Sequence, residues 1–317
     1  MPTPLNYERR FLTDGGIETT LIFHEGWELP EFAAFPLIDS PAGRRALVSY
    51  YERYIHLAQK YGTGFVLESP TWRASTRWAM KLGYSSAELQ RLLASCIGMM
   101  QDLKDQYATD ELPMLVSGCI GPHDDGYQPE QRLSVNAARA YHSRQIKDMA
   151  MQGIDYVTAV TMTYPEEAIG LTNAAADLGI SSVIAFTVET DGTLPVGGTL
   201  AEAIARVDTE ADQPPAYYMI NCAHPDHFWG SLKHGDWLRR IGGVRTNASR
   251  MSHAELDEAK ELDAGNPEEF GMLHSVLADR LPNLKVIGGC CGTDHRHIDA
   301  AGRCWHASKI DNVVALS

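Results

Sequence analysis

The sequence predicts a single-domain (β/α)8 barrel spanning residues 1–317, and three observations lead there. Short apolar runs alternate with helical stretches eight times, the pattern of βα units wound around a parallel sheet. Eight such units in 317 residues suit one closed barrel better than two domains. The chemically unusual residues Asp14, Glu68, Cys119, Cys222, Asn247, Cys290 and Cys291 fall at or just past the expected strand ends, which share one face in this architecture. No Gly-, Ser- or Pro-rich linker, repeat motif or low-complexity tract divides the chain.

Arg10 to Leu12 is a brief first strand that runs into DGGIETTL, Asp14 to Leu21, a sharp turn with an acid at its lip. His24 to Ser40 is aromatic, proline-bearing and irregular, which predicts a long loop over the site. Arg44 to Tyr61 sets Leu47, Tyr51, Tyr54, Leu57 and Ala58 on one helical face. Gly64 to Glu68 is the second strand, stopped by Ser69-Pro70-Thr71-Trp72, and Ser86 to Tyr107 is a long helix with Cys96 in its core. Pro113 to Ser117 is the third strand, ending in GCIGPHDDGY, and Leu133 to Gln152 is helical. Asp155 to Val160 is the fourth, with a helix to Leu178, and Ser182 to Val188 the fifth, with a helix to Val207. Ala216 to Asn221 is the sixth, ending at Cys222, and a helix is expected over Pro225 to Arg239. Ile241 to Arg245 is a weaker seventh strand, followed by a polar, helix-prone insertion, Ser249 to Gly271. The eighth, Lys285 to Ile287, leads through Gly288 and Gly289 into Cys290, Cys291 and Gly292. Thr293 or Asp294 would then cap a last helix, His295 to Trp305.

Lys and Arg total 27 against 41 Asp and Glu, a net charge of −14. That argues against a nucleic-acid surface and gives no attraction to an anionic membrane. No apolar run is long enough to span a bilayer, and MPTPLNYERRF lacks the apolar core of a secretory signal. A cytoplasmic location is therefore expected, where thiols stay reduced. The six cysteines then read as free thiols or metal ligands rather than a disulfide framework.

Cys290 and Cys291 sit on a glycine-rich turn, where the backbone can approach a ligand closely. Adjacent cysteines bridge poorly because their side chains diverge, and the plain alternative is a pair of inert buried thiols. One more thiolate would complete a three-sulfur zinc site with an open fourth position. Cys222 is the candidate, with Cys119 a weaker rival; strands six and eight flank only the seventh, so a barrel brings these distant sulfurs together. His224, His227, His295 and His297 suit capping or solvated positions at least as well as ligation, and Cys304 reads as structural. A zinc ion held by three thiolates is a poor activator of water. It is well suited to holding an incoming thiol as a nucleophilic thiolate. Such a thiolate can attack a methyl group on a positively charged donor in one in-line displacement. Asp14, with Glu68 or Glu189, would suit an amino-acid ammonium or a cationic donor. Trp27, Trp72 and Tyr164 lie in loops expected over the site, where cation–π attraction competes with ordinary packing as their role.

DGGIETTL, INCAHPDHF and GGCCGTDHRHI closely resemble the homocysteine S-methyltransferase family, over about Phe11 to His306. GGCCG with an upstream NC is far more specific than either part. The resemblance implies zinc on Cys222, Cys290 and Cys291, a homocysteine pocket at Asp14 and Gly15, and Asn221 beside the metal. Two motifs depart from the family. Many members carry a Phe-Glu-Thr run at the end of the fourth strand, whose glutamate grips the homocysteine ammonium. Aligned on Glu167 and Ala168, that position is Val160 here. ESPTWRAS also stands where a motif closer to Ser-Tyr-Gln-Ala is expected. Either Glu68 or Glu189 replaces the missing carboxylate, or the acceptor is another thiol.

The expectation is a zinc-dependent S-methyltransferase moving a methyl group from a small sulfonium or ammonium donor to the zinc-bound thiolate of homocysteine, giving methionine. S-methylmethionine, S-adenosylmethionine and betaine are the donor types. The alternatives are a methyltransferase for a different small thiol or selenol, and a non-catalytic zinc-binding or redox-sensing barrel. Methylcobalamin or methylfolate would require cofactor-handling domains for which the chain has no room. The His24 to Ser40 loop and the 249–271 insertion are candidate subunit contacts.

Overall fold

The computed structural model describes residues 2–314, with side chains through residue 306. Eight parallel strands close in sequence order into one barrel. They are β1 Phe11–Leu12, β2 Gly64–Glu68, β3 Met114–Ile120, β4 Tyr156–Met162, β5 Ser182–Phe186, β6 Tyr217–Asn221, β7 Ile241–Thr246 and β8 Val286–Gly289. Phe11 pairs with Gly64 on one side and Val286 on the other, which shuts the ring. A side chain at Gly64 would overlap the Phe11 ring, so this closure needs a residue without a Cβ.

The strands are buried along their whole length, as a parallel barrel covered by helices requires. Their alternation sorts the apolar residues into two layers. Phe65 and Leu67 face the helices, while Val66, with Phe11, Leu115, Tyr156, Tyr217 and Val286, belongs to the smaller cluster filling the barrel. The helices begin where small hydroxyl residues can cap them. Ser40 caps Pro41–Tyr61, Ser134 caps Val135–Ala150, and capping boxes at Ser85 with Glu88 and Thr199 with Glu202 start Ser86–Tyr107 and Leu200–Glu210. None of the described helices is long and apolar enough to cross a membrane.

The segment after Cys222 and the ends of β3 and β4 differ from expectation. Pro225 to Arg239 is one turn of helix, Pro225–Phe228, followed by 3-10 turns at Trp229–Ser231 and Asp236–Arg240. Gly235 adopts φ 128°, which no helix accommodates. β3 and β4 run on to Ile120 and Met162, past Gly118 and a kink at Thr161. The 249–271 insertion contributes a short helix, His253–Glu258, and a cavity wall. β7 itself is fully formed and paired along both edges.

Behind β7, the helix Pro267–Arg280 buries His274 completely. Its Nδ1–H donates to the Phe270 carbonyl at 2.7 Å, so Nε2 is the acceptor facing the Thr246 hydroxyl at 3.3 Å. Burial pushes its pKa down to about 4. A depressed histidine pKa favours the folded state fully above the unfolded value near 6.5, and that contribution is lost as pH falls toward 4. Denaturant titrations at pH 7 and about pH 4.5 should show a fall of up to about 3 kcal/mol assignable to this site. H274Q should be less stable at pH 7 yet lose less on acidification; an unchanged slope would reject the assignment.

Candidate active site

The C-terminal ends of the strands surround a cavity of about 880 Å³. At its floor the sulfurs of Cys222, Cys290 and Cys291 lie within 4.8 Å of one another, with Cys222 and Cys291 3.5 Å apart. Tetrahedral Zn–S bonds of about 2.3 Å place sulfurs roughly 3.8 Å apart, so the cluster fits that ion without rearrangement of the fold. β7 is the spacer that brings them together. The Cys222 N–H donates to the Arg245 carbonyl at 3.0 Å, and the Cys290 N–H to the Thr246 carbonyl at 2.8 Å. Cys222 is held in left-handed backbone at φ 54°, a conformation costing about 1–3 kcal/mol in a non-glycine residue. His253 Nε2, at 2.7 Å, and the Thr187 hydroxyl, at 3.3 Å, donate to its carbonyl and hold it there. Tyr127 stacks on His253, ring centres 4.0 Å apart, and brings its hydroxyl 2.8 Å from the Cys222 sulfur.

The thiols do not ionise alike. Hydrogen bonds from Cys222 and Cys291, with Arg245 nearby, hold the Cys290 thiol well below its usual pKa. The contact with Cys290 raises Cys222, contacts with Cys222 and then Cys290 raise Cys291, and burial adds to both. One thiolate forms readily and three together need a cation among them.

Carboxylates crowd the neighbouring wall. Asp14 is only 2% exposed; its Oδ1 lies 2.9 Å from Arg245 Nη2, and Tyr50 donates to its Oδ2 at 2.9 Å. Burial raises its pKa, against Arg245. Glu68 accepts from the Thr158 hydroxyl at 3.1 Å through Oε1, its Oε2 has no hydrogen-bond partner, and burial pushes it up to about 7. Glu18 also lines the cavity, and burial pushes it up to about 8, reinforced by Cys290 and Asp14. Arg245 is the guanidinium that all three feel. It also donates to the Gly289 carbonyl at 3.1 Å and the Gly15 carbonyl at 3.2 Å, tying the first and last strand turns together.

Of the residues singled out from the sequence, Asp14, Gly15, Glu68, Asn221 and the three cysteines line the cavity, as does Val160. Asp14 is not a free acid at the lip, because Arg245 and Tyr50 occupy its carboxylate. Asn221 has both amide ends engaged: Oδ1 accepts from the Thr161 N–H at 2.8 Å and Nδ2 donates to the Thr161 hydroxyl at 3.1 Å. It thereby fixes the φ 62° kink that ends β4. Glu189 is outside the cavity lining. The turn after β5 carries it outward to His253, whose Nδ1 is 3.3 Å away. Cys119 lines the cavity but stands apart from the sulfur cluster. His224 caps the Pro225 turn, His227 bonds the Arg250 carbonyl, His295 is exposed and His297 packs on Asp294 and Ala264. Trp72 lines the cavity, whereas Trp27 packs on the core and the Tyr164 hydroxyl accepts from the Leu133 N–H.

Glu18, Arg73, Tyr127, Arg245 and His253 are the residues the sequence reading passed over. Arg245 had a legible signal, a lone charge inside the buried strand IGGVRT. Glu18 lay within DGGIETTL, a motif read for its turn, its Asp14 and Gly15 and its family likeness.

The family model described as homocysteine S-methyltransferase matches residues 11–304. No curated protein matches the chain. Among solved structures, the oxidized form of the homocysteine methyltransferase MmuM from Escherichia coli superposes with a TM-score of 0.73 at 20% identity, over 95% of this chain and 99% of that one. Its metallated form gives 0.72 at 18%, with the same coverage. At these identities the likeness is one of fold.

Proposed function

This chain belongs to the homocysteine S-methyltransferase family, and from that premise we propose a cytoplasmic, zinc-dependent transfer of a methyl group from a small sulfonium or ammonium donor to homocysteine, giving methionine. The observation that carries the reading is the meeting of three sulfurs on the floor of a cavity that also contains Glu18 and Glu68. Cys222, Cys290 and Cys291 are the residues that would hold zinc, which when bound supplies the positive charge that keeps an incoming thiol ionised at neutral pH. The other residues position and discriminate. Arg245 holds the Gly15 and Gly289 turns in register beside the sulfurs, and Asn221 holds the end of β4. Val160 offers no carboxylate, so the acceptor ammonium falls to Glu18, with Glu68 deeper in the barrel. A cation beside these crowded acids favours their ionised forms. In the transfer the acceptor thiol gives up its proton, the donor's S–CH3 or N–CH3 bond breaks as the new S–CH3 bond forms, and the donor leaves with the bonding pair, one unit of positive charge lost.

Zinc-replete protein should make methionine, followed by mass spectrometry, from homocysteine and one of S-methylmethionine, S-adenosylmethionine or betaine. No product with any of the three would reject homocysteine methylation. Turnover with a selenol or another thiol in its place would favour the alternative acceptor that Val160 raises. E18Q should raise the KM for homocysteine by about tenfold or more, and that for the amine-free 4-mercaptobutanoate much less. Equal effects on both would remove Glu18 from ammonium recognition.

A further inference from the structure

The proposed reaction leaves Arg73 unused. It follows β2 in the ESPTWRAS segment, and its side chain is 7% exposed and lines the cavity. The guanidinium carbon is 3.9 Å from the Trp72 ring centre and 3.6 Å from that of Trp78, which the short helix Thr76–Lys81 supplies. Held between two indoles, the guanidinium keeps its plane and has only its N–H edge for polar partners.

Those partners are poor. Nη1 reaches the Asp124 carbonyl at 3.4 Å, Nη2 is 3.9 Å from the Asp125 carboxylate, and Nε has no hydrogen-bond partner. Asp125 is half-exposed and held off by its Oδ1, which accepts from the Tyr127 and Gln128 N–H groups at 2.8 and 2.9 Å, so its Oδ2 stays beyond hydrogen-bond reach of Arg73. The other arginines lining the cavity are closely paired, Arg77 with Asp124 at 2.7 Å and Arg245 with Asp14 at 2.9 Å. A buried cation with a fixed donor edge and no close anion is matched to a ligand that brings one. The cavity is otherwise rich in acids, including Glu18, Glu31, Asp257 and Asp263, which disfavour a polyanion. A single carboxylate on a molecule that also carries an ammonium suits both signs of charge.

We propose that Arg73, clamped between Trp72 and Trp78, receives the carboxylate of an amino-acid substrate. This deepens the methyl-transfer reading, in which acceptor and donor can each carry a carboxylate, and it makes Arg73 a specificity-determining residue. The test is binding to the zinc-replete protein, read by tryptophan fluorescence and calorimetry, so it does not depend on turnover. Two ligand pairs are compared: homocysteine with 3-mercaptopropylamine, and S-methylmethionine with its decarboxylated sulfonium. The parent should prefer the carboxylate-bearing member of at least one pair by about 30-fold or more. R73M, which keeps an apolar stem between the indoles, should abolish that preference, and R73K should retain only part of it. The pair that loses discrimination identifies whether the carboxylate belongs to acceptor or donor. Parent-like preferences in R73M overturn the proposal even if methionine is formed. Lost preferences support it even if methionine is not. Should R73M fail to fold, the same two ratios in R73K decide, unchanged ratios counting against Arg73.

Discussion

C222S and C290S should each fold and yet purify almost free of zinc, with turnover at least about a thousandfold below the parent. Zinc held by thiolates contributes on the order of 10 kcal/mol or more, so losing one of three protein sulfurs removes several kcal/mol, a thousandfold or more in affinity. Serine does not substitute, because its hydroxyl stays protonated where a thiol would ionise. The fold should survive, since the apolar layer between strands and helices does not depend on these sulfurs. C119S is the internal comparison. Cys119 is buried in the same cavity but lies outside the cluster, and its variant should keep its metal. Elemental analysis of the three proteins beside a turnover assay settles the matter; full zinc retention in both C222S and C290S would falsify the three-sulfur site.

R245M should cost about 3–5 kcal/mol of stability in denaturant unfolding, the range for removing one partner of a buried ion pair. The reason is the company Arg245 keeps. Its loss strands Asp14 and leaves Glu18 and Glu68 without the cation they feel, and it frees the Gly15 and Gly289 carbonyls. D14N should cost less, because Arg245 then still serves the remaining carboxylates. The double variant should lose less than the sum of the two single losses, since no charge is left without its partner. Zinc affinity of R245M should also drop about 10–100-fold, as the loop carrying Cys290 loses its anchor. Equal costs for R245M and D14N would deny that the arginine holds more than one acid.

The regular elements were legible wherever local chemistry and burial agree. β2 was read to the residue, because a strand buried on both faces appears as the unbroken run GFVLE ended by Ser69-Pro70. The helix Ser86–Tyr107 was read equally closely, its start marked by Ser85 and Glu88. The segment after Cys222 misled. Its spacing looked helical, yet the α-helix stops at Phe228, and Gly235 at φ 128° bars its resumption before the 3-10 turn that follows. Glu189 misled differently: it follows a strand as Glu68 ends one, but the turn beyond β5 leaves it outside the cavity lining, against the outer nitrogen of His253.

What the chain determined by itself was the eightfold alternation, the face of the barrel on which the acids and thiols gather, and the family whose motifs frame them. These rest on hydrophobic period and on residues a few positions apart, which a linear sequence displays directly. What only the tertiary structure decided was the pairing of Asp14 with Arg245, the crowding of Glu18 beside Cys290, and the clamp of Trp72 and Trp78 on Arg73. Asp14 and Arg245 lie at opposite ends of the chain, and even the nearby Trp78 reaches Arg73 only through a helix the local pattern did not announce. Charge pairing and ring contact depend on distance in space, and closing the barrel is what sets those distances.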